Sequence, residues 1–291
     1  MAFLLHRTIR AAELLPRWNQ RMDLNTITEI GRPGGRSELP DWRPGDAWLA
    51  GGTWLFSEPQ PVLTRLIDLG GLRWPALEPG PEGLRIGATC TLAQLTSADY
   101  PAEWRAVPLF RQCCRALLGS FKIWNAATVG GNLCMALPAG PMVALTAALD
   151  GICSIWTQDG GERRLKAIEF VLGPRQNALR PGELLRAIDL PAETLRQRTA
   201  FRQISLAPQG RSGALLIGVR APPDGFALTV TASTRRPVRL DFPAMPSATE
   251  LSHALTRAIP DDLYYDDVHG APDWRRHMTF RFAEQIRQEL S

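Results

Sequence analysis

The sequence predicts an α+β fold built from more than one lobe. Three observations predict it. The chain has 291 residues and is 45% hydrophobic, enough apolar material for a substantial core and too much chain for one small one. Helical and strand-like segments alternate through the first two thirds, then strands follow one another closely, and amphipathic helices close the chain. No G-x-G-x-x-G stretch occurs, which argues against a doubly wound dinucleotide sheet.

The elements read in order as follows. Residues Met1 to Arg21 hold four arginines and the apolar stretch Ala2 to Leu5, too short for a secretory core. They read as an extension, with Met22 as a natural start. Asp23 to Ile30 alternates and reads as a strand. Arg32 to Gly45 is rich in Pro, Gly and charge and reads as a loop with at most a turn of helix. Ala47 to Ala50 and Leu66 to Leu69 read as strands, and Leu84 to Ala88 alternates as another. Thr91 caps a helix that begins at Leu92. Pro108 to Leu118 has helical apolar spacing with Pro at a permitted early position. Pro141 to Leu149 reads as a helix, Cys153 to Trp156 as a strand, and Pro181 to Pro191 as a segment containing a strand. Phe201 to Leu206, Ala214 to Val219 and Phe226 to Ala232 read as strands joined by hairpins. Thr249 to Ala258 and Asp273 to Leu290 read as amphipathic helices lying on them.

Charge and cysteine usage exclude several classes. The formal charge is +4 and the pI about 9.0, yet Lys and Arg are spread along the chain. A mildly basic solvated surface fits this better than a nucleic-acid site, and no aromatic–basic stripe is present. The five cysteines show no Cys-x-x-Cys and no regular spacing, so neither a disulfide framework nor a cluster site is indicated. This usage points to a reducing cytoplasm. No apolar run is long enough to span a bilayer. No metal site is expected: Asp261-Asp262 and Asp266-Asp267 match no calcium-loop spacing.

Two glycine-rich stretches carry the most chemical information. Ala50-Gly51-Gly52-Thr53 follows the apolar run Ala47-Trp48-Leu49, and Thr128-Val129-Gly130-Gly131-Asn132 follows Lys122 to Ala127. Paired glycines let backbone amides form concave anion-binding nests. Two such turns converging from distant parts of a chain would suit a diphosphate-bridged dinucleotide. The other pairs, Gly34-Gly35, Gly70-Gly71 and Gly160-Gly161, read as ordinary turns.

The context of these stretches resembles one family. Trp48-Leu49-Ala50-Gly51-Gly52-Thr53-Trp54-Leu55 is similar to the first FAD loop of the flavoprotein subunits of molybdenum hydroxylases, a group that includes xanthine, carbon monoxide and aldehyde dehydrogenases. Ile123 to Asn132 resembles their second FAD loop, continued by Pro138-Ala139-Gly140. Arg180-Pro181-Gly182-Glu183-Leu184-Leu185 resembles a later stretch that reaches the flavin ring. Asp266 to Gly270 and Asp273 to His277 resemble their C-terminal domain. The motifs run from about Leu49 to Leu290 in the family's order.

The resemblance implies the two-lobed FAD-binding fold of the vanillyl-alcohol-oxidase-like (PCMH-type) flavoproteins over residues 22–194, with lobes of about 22–75 and 76–194. A smaller C-terminal α+β domain would follow over 195–291. It implies FAD as cofactor, with Gly51, Gly52, Gly130 and Gly131 bringing amides to the phosphates and the Thr53 and Thr128 hydroxyls adding bonds. Trp48, Leu49, Ala50, Trp54, Leu55, Val129 and Asn132 complete the two loops. Leu185 would pack on the isoalloxazine, and Arg202 would stand where the family pattern has a basic residue near the flavin. A molybdopterin-binding large subunit and a [2Fe–2S] small subunit are the implied partners, since this chain has ligands for neither group. The family's Ser and acidic residue after the second loop align with Leu137 and Pro141. A lost hydrogen bond of this kind weakens binding by about 1 kcal/mol.

No acid–base set accompanies these loops. His6, His253, His269 and His277 lie far from them in sequence, and nothing pairs them with a nucleophile. This suits a subunit that passes electrons through its flavin. Two other readings share the motifs: a stand-alone FAD oxidoreductase, and an assembly subunit whose FAD site has decayed at Leu137 and Pro141.

Overall fold

A computed structural model describes residues 24–117, 119–221 and 224–291. The N-terminal extension and Met22 lie outside the described residues. The described residues open with β1 (Glu29–Gly31), β2 (Asp46–Leu49) and β3 (Arg65–Asp68), which form a small parallel sheet in the order β1-β3-β2. The expected strand over 23–30 is confined to β1. Its partner β3 offers only four residues, and Glu29, Ile30 and Gly31 take up the register against Arg65, Leu66 and Ile67.

A five-stranded antiparallel sheet follows. Its strands are β4 (Leu77–Gly80), β5 (Gly83–Gly87), β6 (Ile152–Trp156), β7 (Glu162–Lys166) and β10 (Leu184–Pro191), in the order β4-β5-β10-β6-β7. Between β5 and β6 the chain forms α1 (Leu92–Ser97), α2 (Pro108–Ala116), α3 (Phe121–Ala126), α4 (Val129–Met135) and α5 (Pro141–Ala148). Thr91 caps α1 as expected, and Gln94 reciprocates in a full capping box. A short helix α6 (Ala167–Phe170) and a two-stranded ribbon of β8 (Val171–Gly173) and β9 (Gln176–Asn177) lead into β10.

After the four-residue helix α7 (Ala192–Leu195), a meander of β11 (Arg198–Ile204), β12 (Ala214–Ala221), β13 (Gly225–Thr231) and β14 (Val238–Phe242) makes a four-stranded antiparallel sheet. Two helices cover it, α8 (Ala248–Ala258) and α9 (Pro272–Leu290).

This last sheet is buried on both faces. Leu215, Ile217 and Val219 of β12 join the main core, while Ala214 and Leu216 join the core beneath α8 and α9. That split follows from the two-residue period of a strand. Every residue of β13 is buried. The element on its other side is α5, whose residues are all buried and almost all apolar. A helix that is apolar all round belongs inside a protein, and α5 packs against both β12 and β13.

One fully buried arginine fixes the C-terminal part. Arg275 of α9 is 1% exposed and donates to the carbonyls of Gly270, Gly213 and Ala232 and to Asp267. Satisfying the guanidinium on nearly all sides is what makes its burial tolerable. The Ala232 amide in turn donates to Pro138 O, which ties the meander to the loop before α5.

Candidate functional site

The first glycine stretch leaves β2 as a loop. Its strand is anchored by a buried fork: Arg65 Nε and Nη2 donate to the two carboxylate oxygens of Asp46 at 2.8 and 2.5 Å. The guanidinium holds the Asp46 carboxyl below the usual carboxylate range. Trp48 Nε1 donates to Glu183 O at 3.0 Å, joining β2 to the segment before β10. Glu183 is itself held by a fork from Arg163, which lowers its pKa. Gly52 has φ +69, in the left-handed region that favours glycine, and its carbonyl accepts the Phe56 amide at 2.9 Å. Among the described residues the amides of Gly51, Gly52 and Thr53 have no protein acceptor.

The second stretch is not a turn. Val129 to Met135 is α4, with Thr128 at its N-cap accepting the Gly131 amide at 3.0 Å. The expected nest is therefore replaced by a helix start whose amides are already used. Val129 N donates to Cys90 O at 2.8 Å, Gly130 N to Ala88 O at 3.0 Å, and Asn132 N to Thr128 O at 3.0 Å. Gly130 is glycine for contact: a Cβ there would lie 2.6 Å from the Ala88 carbonyl oxygen. Asn132 Oδ1 accepts the Met142 amide at 3.0 Å, so its carbonyl caps the start of α5.

The two stretches meet across Gly51, where a Cβ would fall 1.7 Å from Ala126 O. Between them lies a cavity of about 400 Å³. The whole first loop from Trp48 to Leu55 lines it, with Thr128, Gly131 and Asn132 from the second. Val129 and Gly130 are buried behind that wall and do not line it.

Two expected site residues stand elsewhere. Leu185 is 2% exposed, pairs with Ile155 on β6, and belongs to the main core rather than the cavity wall. Arg202 lies opposite Leu216 on the sheet face covered by α9. Its Nε donates to Gln285 Oε1 at 3.1 Å and its Nη2 to Glu289 Oε2 at 2.6 Å. Strand alternation sends that side chain to α9 and away from the cavity. Of the two departures from the family pattern, Leu137 lines the cavity while Pro141 is buried at the start of α5.

The cavity also includes residues that the motifs do not mark. Ile123 and Met135 add apolar surface from α3 and α4 and Leu117 from the C-cap of α2, and Arg211 and Ser212 enter from the β11–β12 connection. Arg211 is the single charged residue among the described lining residues. No local pattern flags it, since its place depends on a hairpin folding back over a loop some 160 residues earlier in the chain. The Cys134 thiol also faces this wall, and burial pushes its pKa up to about 12. It is therefore a neutral thiol near pH 7.

The comparisons with known proteins agree with this architecture. A sequence profile described as the FAD binding domain in molybdopterin dehydrogenase matches residues 38–193. The carbon monoxide dehydrogenase medium chain of Afipia carboxidovorans is 27% identical over 210 residues, covering 67% of this chain and 70% of that one. Caffeine dehydrogenase subunit beta of Pseudomonas sp. strain CBB1 is 33% identical over 99 residues, which is 34% of this chain and 33% of the relative. The chain thus spans about a third of that relative's length in the match. A crystal structure of Cu,Mo-CO dehydrogenase superposes with a TM-score of 0.75 at 20% identity, covering 89% of this chain and 96% of that one. Quinoline 2-oxidoreductase from Pseudomonas putida 86 gives 0.72 at 19% identity, covering 91% and 98%. More than half of the chain lies within the matched profile: it belongs to the family of FAD-binding domains of molybdopterin dehydrogenases, an oxidoreductase family whose cofactor is FAD.

Proposed function

We propose that this chain is the electron-transfer subunit of a molybdopterin-dependent dehydrogenase, passing electrons from iron–sulfur clusters on a partner chain to an external acceptor. The observation that carries this reading is the cavity's chemistry. It has no His, Asp, Glu or Lys among its described lining residues, and its one cysteine is a half-buried neutral thiol. Such a wall offers no group to take a proton from an organic substrate. It does offer what a bound dinucleotide needs: free amides at Gly51, Gly52 and Thr53, one guanidinium, and apolar walls from Leu49, Leu55 and Leu137.

FAD, when bound, supplies the redox chemistry, and the residues of this chain hold and orient it. The first loop is the face positioned to receive the diphosphate, because its amides are unspent. Thr128 and Asn132 act on the wall itself, one capping α4 and the other capping α5. The substrate-oxidising centre and the iron–sulfur clusters belong to other chains in this reading. Relatives described as a medium chain and a subunit beta support a multi-subunit setting.

The test is a titration of the purified chain with FAD, followed by flavin fluorescence and absorbance, together with affinity purification from its native host. Saturable 1:1 flavin binding and recovery of a molybdenum-containing large chain and an iron–sulfur chain are expected. Flavin binding with no such partners would favour a stand-alone FAD oxidoreductase. Absence of flavin binding would favour an assembly subunit with a decayed site, a reading motivated by Leu137 on the wall and Pro141 behind it.

A further inference from the structure

We propose that Arg211, on the connection between β11 and β12, is the residue that clamps the FAD diphosphate against the first glycine loop. The inference rests on the reading of the cavity as the FAD site. It assigns a ligand contact to a residue outside the matched FAD-binding segment of 38–193.

Four observations carry it. Arg211 is the one charged residue among the described residues lining the cavity. It has no carboxylate partner among the described residues, whereas Arg65, Arg163, Arg202 and Arg275 are each committed to one. Its guanidinium carbon lies 5.7 Å from the ring centroid of Trp54, the tryptophan that follows Gly51-Gly52-Thr53. The amides of Gly51, Gly52 and Thr53 have no protein acceptor, and those of Val129, Gly130 and Gly131 are spent on Cys90, Ala88 and Thr128.

These facts divide the two glycine motifs by role. A diphosphate carries two negative charges and needs several donors at once. In the second motif the amides of Val129, Gly130, Gly131 and Asn132 are already bonded, which leaves that of Thr128 alone without an acceptor among the described residues. The first motif has three, and Arg211 stands over the same loop with an uncommitted planar fork that matches phosphate geometry. Cation–π attraction to Trp54 favours holding the fork over the loop before the anion arrives. Arg175, on the β8–β9 turn, sets a second guanidinium carbon 5.8 Å from the same ring and adds to the positive field.

The connection that carries Arg211 is held from below. The Gly213 carbonyl accepts from the buried Arg275 at 2.9 Å, the Gly213 amide donates to Ile204 O at 2.8 Å, and Ser212 Oγ accepts from Gln203 at 3.1 Å. Arg211 itself makes no hydrogen bond to protein among the described residues, so its replacement should leave the fold intact.

The experiment measures dissociation constants of FAD and riboflavin for the wild-type chain, Arg211→Gln and Arg211→Lys, with melting temperatures recorded for each. Riboflavin shares the ring and lacks phosphate. Arg211→Gln should raise the FAD dissociation constant by about ten- to a hundredfold, the loss of one or two charge-assisted bonds. Riboflavin binding and the melting temperature should stay unchanged, and Arg211→Lys should recover part of the loss. ADP, which carries the same diphosphate, should compete with FAD for the wild-type chain. An unchanged FAD constant in Arg211→Gln, or a matching loss for riboflavin, overturns the assignment of Arg211 while leaving the cavity as an FAD site. ADP binding to the FAD-loaded chain through Arg211 also overturns it, because Arg211 would then serve a nucleotide other than FAD. Failure of the wild-type chain to bind FAD at all overturns both readings together.

Discussion

Gly51 is pressed against the carbonyl of Ala126 so closely that a Cβ would lie 1.7 Å from its oxygen. The glycine thus brings the first loop onto the end of α3, which leads directly into Thr128 and α4. Gly51→Ala forces the two loops apart and costs about 1–3 kcal/mol, as overpacking does. Both the melting temperature and FAD affinity should fall together in this variant. A normal melting temperature in Gly51→Ala would show that the loops do not meet there.

Gly130 and Gly131 are neighbours with opposite tolerance. A Cβ at Gly130 meets the Ala88 backbone at 2.6 Å, whereas at Gly131 it meets only the Thr128 hydroxyl, at 2.8 Å. The Thr128 hydroxyl can give way at the cost of part of its bond to the residue-131 amide, whereas the Ala88 backbone just after β5 cannot. Gly130→Ala should therefore lose stability by about 1–3 kcal/mol, while Gly131→Ala should lose less, at most the ~1 kcal/mol of the Thr128 cap. Parallel thermal melts of the two variants decide it, and equal losses would contradict the packing described.

Thr128 should behave as a helix cap. Thr128→Ala removes the acceptor of the Gly131 amide and should cost about 1 kcal/mol, which is about 2–4 °C in a chain of this size. Thr128→Ser retains the hydroxyl and should restore most of that. Denaturant melts of the three proteins check it.

The Asp46–Arg65 fork gives the protein an acid-sensitive joint. Arg65 holds the Asp46 carboxyl below its ordinary value. A lowered folded-state pKa contributes stability that is fully present above the unfolded value of about 3.9. That stability is lost as pH falls through the folded value. Asp46→Asn should melt lower than the wild type at pH 7 and show a shallower decline below pH 4 (about the unfolded carboxylate value). Melting temperatures across that range, with both proteins falling in parallel, would show that the fork carries none of the acid dependence.

The sequence reveals the fold where a segment's apolar pattern is strong or its caps are standard. The α1 cap at Thr91, helix α5, and strands β12 and β13 are all visible in this way. Helix α4 is hidden because Gly130 and Gly131 read as a turn, and only the contact with Ala88 explains why a helix there needs glycine. Strand β14, which pairs with β13, carries Arg239 and Asp241 and lacks a long apolar run. At the site, the first loop is legible from its glycines and its strand. Arg202 is misplaced by sequence reasoning because its neighbourhood is set by strand alternation against α9, and Arg211 is invisible because tertiary folding alone brings it to the cavity.

The relay reading meets its most direct test in anaerobic absorbance of the FAD-loaded chain. Aldehydes, purines or N-heterocycles are added first to the isolated chain and then in the presence of its molybdenum and iron–sulfur partners. The cavity holds no acid–base group among its described lining residues, so the isolated chain should keep its oxidised flavin absorbance with every substrate, while a chemical reductant bleaches it. Adding the partners should make one substrate class bleach it as well. Substrate-driven bleaching by the isolated chain would contradict the account, because the oxidation chemistry would then lie within these 291 residues.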